Sequence, residues 1–254
     1  MSFLTSVKGR IAEVVMNFPP VNALPIKAWV ELAGIVRQEG RDPHVSVVIL
    51  AAAGRGWCAG PDMNELVAGG RESLVAINRA CYEAFAAVYE CEVPVIAAVQ
   101  GFCVGGAIGL AGNADIVIAS SDAFFGLPEV DRGALGAATH LSRLVPQHRM
   151  RAMFYSGENV SAKELMSYGS VLEVVPRRQL RATARRVAGV IASKHPTVIR
   201  RAKEALNGIE ATDPRHSYRF EQGFTFELNL SDVPTEARRA FVEKRKPDFK
   251  IKNG

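Results

Sequence analysis

The chain has 254 residues, a net charge of +5, 48% hydrophobic residues and 22% charged residues. This composition is typical of a packed globular protein and excludes a low-complexity chain. The N-terminal segment meets charge at Lys8 and Arg10 before any apolar block develops, so we expect no signal peptide. The four cysteines form no CxxC pair and have no histidine at zinc-ligand spacing. We therefore expect a reduced, cytoplasmic protein without a metal site.

Strand and helix patterns alternate through the first half of the chain. The pattern predicts strands at 11–16, 45–52, 93–99 and 116–119, and helices at 26–38, 73–89 and 106–112. After Pro128 it predicts helices at 136–144, 149–155, 162–168, 177–193, 196–207, 215–230 and 234–245, with one strand at 171–174. Strands that alternate with helices pair in parallel. We expect an α/β core that continues without a linker into a helical C-terminal region.

One uncharged segment, between Glu92 and Asp115, is long enough to span a membrane. It contains Pro94, Gln100, Asn113 and several glycines, and it divides into a β-branched run, a glycine-rich turn and a small-residue helix. The sequence therefore predicts a buried strand, turn and helix, and no membrane partner.

Three glycine-rich turns follow predicted strands, in GRGWCAGPDMNEL, VQGFCVGGAIGL and FFGLPEVDRGALG. Ligands of α/β sheets bind beyond the carboxyl ends of the strands. Turns without side chains expose backbone N–H groups, and two such turns that face each other would make an oxyanion hole. Each turn taken singly is also compatible with a plain tight turn.

These motifs resemble the crotonase (enoyl-CoA hydratase/isomerase) superfamily, together with NFPPVNAL near the N-terminus and AFVEKRKPDFK near the C-terminus. The resemblance implies an α/β fold, a crotonase-like spiral of ββα units over residues 1–195. It also implies a helical C-terminal region, 196–254, that covers CoA and joins subunits within one continuous domain. The implied assembly is a homotrimer or a dimer of trimers. No tightly bound cofactor is implied, because coenzyme A is part of the acyl-CoA substrate.

Three longer stretches, FCVGGAIGL, FGLPEVDRGALGAATHLSRLVPQHRM and SYRFEQGFTFELNL, resemble a narrower group. This group comprises actinobacterial crotonases of steroid breakdown, which hydrolyse the remaining five-membered ring of a bicyclic dioxo-indene carboxyl-CoA. The narrower resemblance implies a hydrolase of a carbon–carbon bond.

The family resemblance assigns site residues by position. Gly106 would donate its N–H to the thioester oxygen, and Glu129 matches the second glutamate of the family's hydratases. Arg55 would lie near the CoA phosphates, and Phe241 and Lys244 near adenine, with a neighbouring subunit as their possible source. The complete set of implied CoA contacts is Ala23, Leu24, Arg55, Ala59, Pro61, Asp62, Met63, Gly106, Phe241 and Lys244.

Three residues depart from the family pattern. Gly109 stands where hydratases carry their first glutamate, which makes efficient hydration doubtful. Pro61 has no N–H, yet it stands where the first loop normally donates one. A water, the Asp62 N–H or a shifted loop would have to compensate. Asn64 replaces a lysine that contacts a CoA phosphate in many relatives.

Several side chains remain candidates for the chemistry. Glu129 is favoured over Asp131 as the base, because the adjacent Arg132 would make Asp131 a weaker base. Glu221 lies among aromatic residues and is a further candidate. We interpret His140 as a structural helix residue. Cys58 and Cys103 have no local histidine partner that would activate the thiol as a nucleophile.

The predicted function is hydrolysis of a carbon–carbon bond of a cyclic oxo-acyl-CoA, with an enolate held in the oxyanion hole. The alternative is an enoyl-CoA hydratase or isomerase with an altered substrate range. A non-catalytic protein that binds CoA, or RNA through the basic tail, is a third reading, but it gives no reason for Glu129 on a loop at the cleft. We expect no nucleic-acid partner.

Overall fold

The computed structural model describes residues 2–230 and 233–248. Its strands are β1 (Ser2–Lys8), β2 (Ile11–Asn17), β3 (Ala23–Leu24), β4 (Val47–Ala52), β5 (Gly60–Pro61), β6 (Val95–Val99), β7 (Phe102–Val104), β8 (Ile116–Ser120), β9 (Phe124–Gly126), β10 (Asn159–Ser161) and β11 (Glu173–Val175). Its helices are α1 (Ile26–Arg41), α2 (Met63–Tyr89), α3 (Ala107–Asn113), α4 (Ala138–Leu141), α5 (Gln147–Ser156), α6 (Ala162–Ser167), α7 (Leu180–Ala192), α8 (Pro196–Ile209), α9 (Pro214–Asn229) and α10 (Val233–Val242).

A six-stranded sheet in the order β1-β2-β4-β6-β8-β11 forms the centre of the fold. β1 and β2 pair antiparallel, and the other neighbours pair parallel. β4 is buried along its whole length, which explains its uninterrupted apolar sequence. One face of the sheet packs on α7 through Leu180, Ala184 and Ala188, and the other face belongs to the main core.

Short strands form two smaller sheets. β3 pairs with β5, and β7, β9 and β10 form a three-stranded sheet. The chain thus repeats the order long strand, short strand, helix in β2-β3-α1, β4-β5-α2 and β6-β7-α3. The predicted spiral of ββα units is confirmed.

The C-terminal helices pack on the core through polar contacts with its backbone and loops. Arg200 of α8 donates to the carbonyl oxygens of Gly40 and Asp42, at 2.6 and 2.7 Å. The buried Lys203 forms an ion pair with Asp115 at 2.7 Å. The division at residue 195 and the role of the C-terminal region in subunit contacts stay predictions.

The predicted long strands and helices are found, with shifted ends. The seven-residue strand β1 and the short strands are absent from the pattern-based prediction. α2 begins at Met63 and is kinked at Gly70, and α4 is shorter than the predicted helix at 136–144. Within residues 2–230 and 233–248, none of the helices has both the length and the hydrophobicity of a membrane span.

Candidate active site

Backbone hydrogen bonds join the three glycine-rich turns. The Val104 N–H donates to the Cys58 carbonyl at 3.1 Å, which links the first turn to the second. The Gly105 N–H donates to the Gly126 carbonyl at 3.0 Å, which links the second turn to the third. The turns that sequence analysis singled out therefore form one site at the carboxyl ends of β4, β6 and β8.

Asn22, within the NFPPVNAL motif, ties the N-terminal segment to the first turn. Its side-chain oxygen accepts from the Phe18 N–H at 2.7 Å. Its amide nitrogen donates to the carbonyls of Ala53 and Gly56, at 2.8 and 3.0 Å. Sequence analysis did not single out this residue. The repeated asparagines of the motif, Asn17 and Asn22, were the available signal.

The first and second turns lie close together at Gly60 and Gly106. A Cβ atom on Gly60 would lie 3.0 Å from the Gly106 nitrogen, so any larger residue would push the turns apart. Gly106 is the N-cap of α3, and its N–H donates to no acceptor among the described residues. This free N–H is the kind of donor that an oxyanion hole requires.

Pro61 removes the matching donor of the first turn. β5 pairs with β3, and the Asp62 N–H donates to the Leu24 carbonyl at 3.0 Å. The suggestion that the Asp62 N–H replaces the missing donor is therefore wrong, because a neighbouring strand already binds it. N–H groups of successive strand residues point to opposite sides, so the Pro61 nitrogen faces Gly106. The Pro61 Cδ would lie 3.0 Å from a Cβ on Gly106.

A cavity of about 320 Å³ opens beside Gly106 and Pro61. It is mainly apolar, with Leu66, Leu74, Ile77, Phe85 and Val104 in its wall. This volume suits an acyl group of modest size.

Glu129 projects its carboxyl group into this site from the 3-10 turn Pro128–Arg132. One carboxyl oxygen would lie 2.8 Å from a Cβ on Gly105, and the other is buried without a hydrogen-bond partner among the described residues. Burial raises the pKa of Glu129 to about 8, although Arg132 acts in the opposite direction. A carboxyl group with one unpartnered oxygen, in the same cavity wall as Gly106, is a candidate general base.

Gly109 faces the ring of Phe85, which also lines the cavity. A Cβ atom on Gly109 would overlap this ring. The space that a glutamate on Gly109 would need is thus filled by an aromatic side chain.

The predicted CoA contacts divide into three groups. The cavity wall contains Ala23, Ala59, Pro61, Asp62, Met63, Gly106 and Phe241. Leu24 is fully buried behind this wall. Arg55 is exposed beside the ring of Phe102, and Lys244 is exposed beyond the end of α10, so neither lines the cavity.

Asp131 and Glu221 both lie outside the cavity wall. The Asp131 carboxylate is exposed and lies against Gly157 at the end of α5. The Glu221 carboxylate accepts from the N–H groups of Ala138 and Thr139, at 2.8 and 3.0 Å, and thus caps α4. Both positions argue against a role as the base.

His140 and the cysteines are buried. The His140 Nδ1 lies 3.0 Å from the Asn113 side-chain oxygen, and burial lowers its pKa to about 3. Burial also raises the pKa of the Cys58 thiol to about 12 and that of Cys103 above its usual value. These groups lack the ionised or titrating forms that nucleophilic or acid–base catalysis at neutral pH requires.

Arg238 and Asn229 line the cavity and were not singled out from the sequence. Both lie in C-terminal helices whose approach to the first half of the chain is a tertiary feature. Arg132, noted only as the neighbour of Asp131, lines the same cavity.

Comparison with known proteins identifies the family of this chain. The enoyl-CoA hydratase/isomerase family profile matches residues 6–252. The chain is 59% identical to the (7aS)-7a-methyl-1,5-dioxo-2,3,5,6,7,7a-hexahydro-1H-indene-carboxyl-CoA hydrolase of Rhodococcus jostii, over 93% of this chain and 92% of the relative. It is 57% identical to the hydrolase of the same name from Mycobacterium tuberculosis, over 94% of this chain and 98% of the relative.

The fold has solved counterparts. An enoyl-CoA hydratase/isomerase from Xanthobacter autotrophicus matches with a TM-score of 0.87 and 28% identity, over 95% of this chain and 91% of that one.

Proposed function

Because this chain belongs to the enoyl-CoA hydratase/isomerase family, we propose that it is an acyl-CoA enzyme that hydrolyses a ring carbon–carbon bond of a bicyclic dioxo-indene carboxyl-CoA in steroid breakdown. The names of the two hydrolases at 59% and 57% identity support this substrate class. The single structural observation that carries the proposal is the pairing of one buried carboxyl group, Glu129, with a Gly109 position closed by Phe85.

The reaction uses one base and one oxyanion donor. Glu129 takes a proton from water, and the water oxygen bonds to a ring ketone carbon. The resulting tetrahedral oxyanion collapses to a carboxylic acid, and the adjacent ring carbon–carbon bond breaks. The electron pair of that bond moves into a system conjugated with the thioester, and Glu129 returns the proton to carbon. One water is added, and the thioester stays intact.

Gly106 stabilises the charge that develops on the thioester oxygen. Its N–H lies at the start of α3 and has no acceptor within the part of the chain that the structure describes. Pro61 leaves this oxygen without a second backbone donor from the first turn. A ring-opening reaction spreads the negative charge over a conjugated system, which lowers its demand on the thioester oxygen alone.

The environment of Glu129 suits the role of base. A general base works best when its pKa is close to the working pH, and burial brings Glu129 to about 8. Hydration of an enoyl-CoA in this family also uses the first glutamate of the pair, for which Gly109 offers neither the side chain nor the space.

Three further properties belong to the proposal. Coenzyme A is part of the substrate, without a resident cofactor. A homotrimer or a dimer of trimers is supported by apolar side chains that α9 leaves exposed, such as Phe220, exposed by 70%, and Phe224, by 46%. A cytoplasmic location is supported by Cys58, Cys81, Cys91 and Cys103, which are all buried free thiols.

The test is incubation of the protein with the dioxo-indene carboxyl-CoA and, separately, with crotonyl-CoA, followed by mass spectrometry. The expected result is a product one water heavier, with a new carboxylic acid, from the bicyclic substrate alone. Turnover of crotonyl-CoA at roughly 10 per second or more, without reaction of the bicyclic substrate, would favour the hydratase reading.

A further inference from the structure

Two arginines line the cavity without a carboxylate partner among the described residues. Arg132 rests on the ring of Phe241, with its guanidinium carbon 4.4 Å from the ring centroid. Arg238 donates to the Asn229 side-chain oxygen at 2.9 Å. Their neighbours Asp131 and Arg239 face elsewhere, against Gly157 and in an ion pair with Glu236.

The arginines border the same part of the cavity. Arg238 and Phe241 are three residues apart in α10, so their side chains lie on one helix face. Arg132 stacks on Phe241, and all three side chains line the same cavity. We call Arg132 and Arg238 the arginine pair.

Holding these cations in an apolar cavity costs stability. Arg238 is only 9% exposed, and a buried arginine without a carboxylate partner is destabilising. Glu129 interacts electrostatically with Arg132, but neither arginine forms an ion pair with it among the described residues. The arginine pair is therefore placed to receive an anion from a ligand.

We propose that the arginine pair is a carboxylate subsite, which binds the carboxylate that ring hydrolysis creates while the thioester stays at Gly106. This inference rests on the proposed function, since ring-ketone hydrolysis supplies the carboxylate. The new carboxylic acid loses its proton to solvent, and a planar guanidinium accepts the anion through paired N–H···O bonds. The same cations also face the tetrahedral oxyanion that precedes this carboxylate.

Isothermal titration calorimetry with stable CoA thioesters tests the subsite without ring hydrolysis. Glutaryl-, adipoyl- and pimeloyl-CoA are compared with valeryl-, hexanoyl- and heptanoyl-CoA, which have the same chain lengths without the distal carboxylate. We expect at least one dicarboxylic thioester to bind on the order of 10-fold more tightly than its alkanoyl counterpart. In Arg132→Gln and Arg238→Gln, this preference should fall to near unity while alkanoyl-CoA affinity is retained.

Arg239→Gln is the matched control, because Arg239 adjoins Arg238 but pairs with Glu236 at the surface. It should leave the preference unchanged. If Arg238→Gln does not fold, the binding preference of Arg132→Gln tests the subsite. Arg132 is partly exposed, so we expect this substitution to be tolerated. Absence of a preference in the unmodified protein overturns the subsite. If the two arginine variants lose affinity equally for dicarboxylic and alkanoyl thioesters, the subsite is also overturned, because the arginine pair would then bind a CoA phosphate. Failure of ring hydrolysis alone would count against the proposed function and leave this binding result valid.

Discussion

The ring of Phe85 fills the space that a side chain on Gly109 would need. Phe85 is held by ring contacts with Trp29, His140 and Tyr218, at centroid distances of 5.7, 4.9 and 5.3 Å. The change that removes the family's first glutamate is thus accompanied by an aromatic cluster that closes its place. The contact between Gly109 and Phe85 therefore favours ring hydrolysis over hydration as the reaction of this protein.

Gly109→Ala should destabilise the protein by about 1–3 kcal/mol, because the added methyl group overpacks the site against Phe85. Gly189→Ala in α7 is the control, since a Cβ there meets no atom within 4 Å. It should be neutral or stabilise by up to about 1 kcal/mol. Urea denaturation measures both changes, and equal effects would refute the steric account.

Neither the unmodified protein nor Gly109→Glu should hydrate crotonyl-CoA efficiently. The unmodified protein lacks the family's first glutamate, and the variant has no room for its side chain beside Phe85. Loss of enoyl absorbance measures the reaction, and we expect a rate well below the roughly 10 per second typical of enzymes. Efficient hydration by Gly109→Glu would show that Phe85 moves aside.

Glu129→Gln should lower ring hydrolysis by about 10²-fold or more, with CoA-thioester binding little changed. In the unmodified protein, kcat/KM should rise with pH through about 8, since only the ionised carboxylate accepts a proton. Stopped-flow or discontinuous assays over pH 6–9.5 provide the profile. If kcat/KM of Glu129→Gln still rises with pH through about 8, the titrating group is not Glu129.

The same burial makes stability depend on pH. The pKa of Glu129 is raised above the usual 4.5 to about 8, so the folded state binds more protons than the unfolded state between these values. Its contribution to stability therefore falls as pH rises through this window. We compare the free energy of unfolding of Glu129→Gln with that of the unmodified protein at pH 5 and at pH 9. The difference should shift in favour of the variant by at least about 1 kcal/mol between the two pH values. Thermal or urea unfolding at both pH values measures this difference.

The sequence predicted the parts of this site whose signals are local. Buried strands read as apolar runs, and the glycine turns that follow them mark where backbones approach a ligand. The pairing of Asp62 with Leu24 could not be predicted, because β3 and β5 are two residues long and carry no pattern. The closure of Gly109 by Phe85 depends on the packing of α2 against α3, and the entry of Arg238 depends on the docking of α10. Both are tertiary features.

Pro61→Ala should restore an N–H that faces Gly106. The Asp62 N–H stays bound to Leu24, so it does not compensate in the unmodified protein. The variant should bind an enolate-like CoA analogue more tightly by up to about 3 kcal/mol. Loss of the proline ring should separately lower the free energy of unfolding by about 0.4–1 kcal/mol. Calorimetry measures the affinity of both proteins for the analogue. Unchanged affinity in Pro61→Ala would mean that the thioester oxygen lies away from Pro61.

The most direct measurement of the central claim is hydrolysis of the dioxo-indene carboxyl-CoA in ¹⁸O-labelled water, with an enzyme-free incubation as the control for ketone exchange. Tandem mass spectrometry locates the label. We predict ¹⁸O in a newly formed carboxyl group, an intact CoA thioester, and loss of this product in Glu129→Gln. Label in an alcohol, or release of free CoA, would contradict the hydrolysis of a ring carbon–carbon bond.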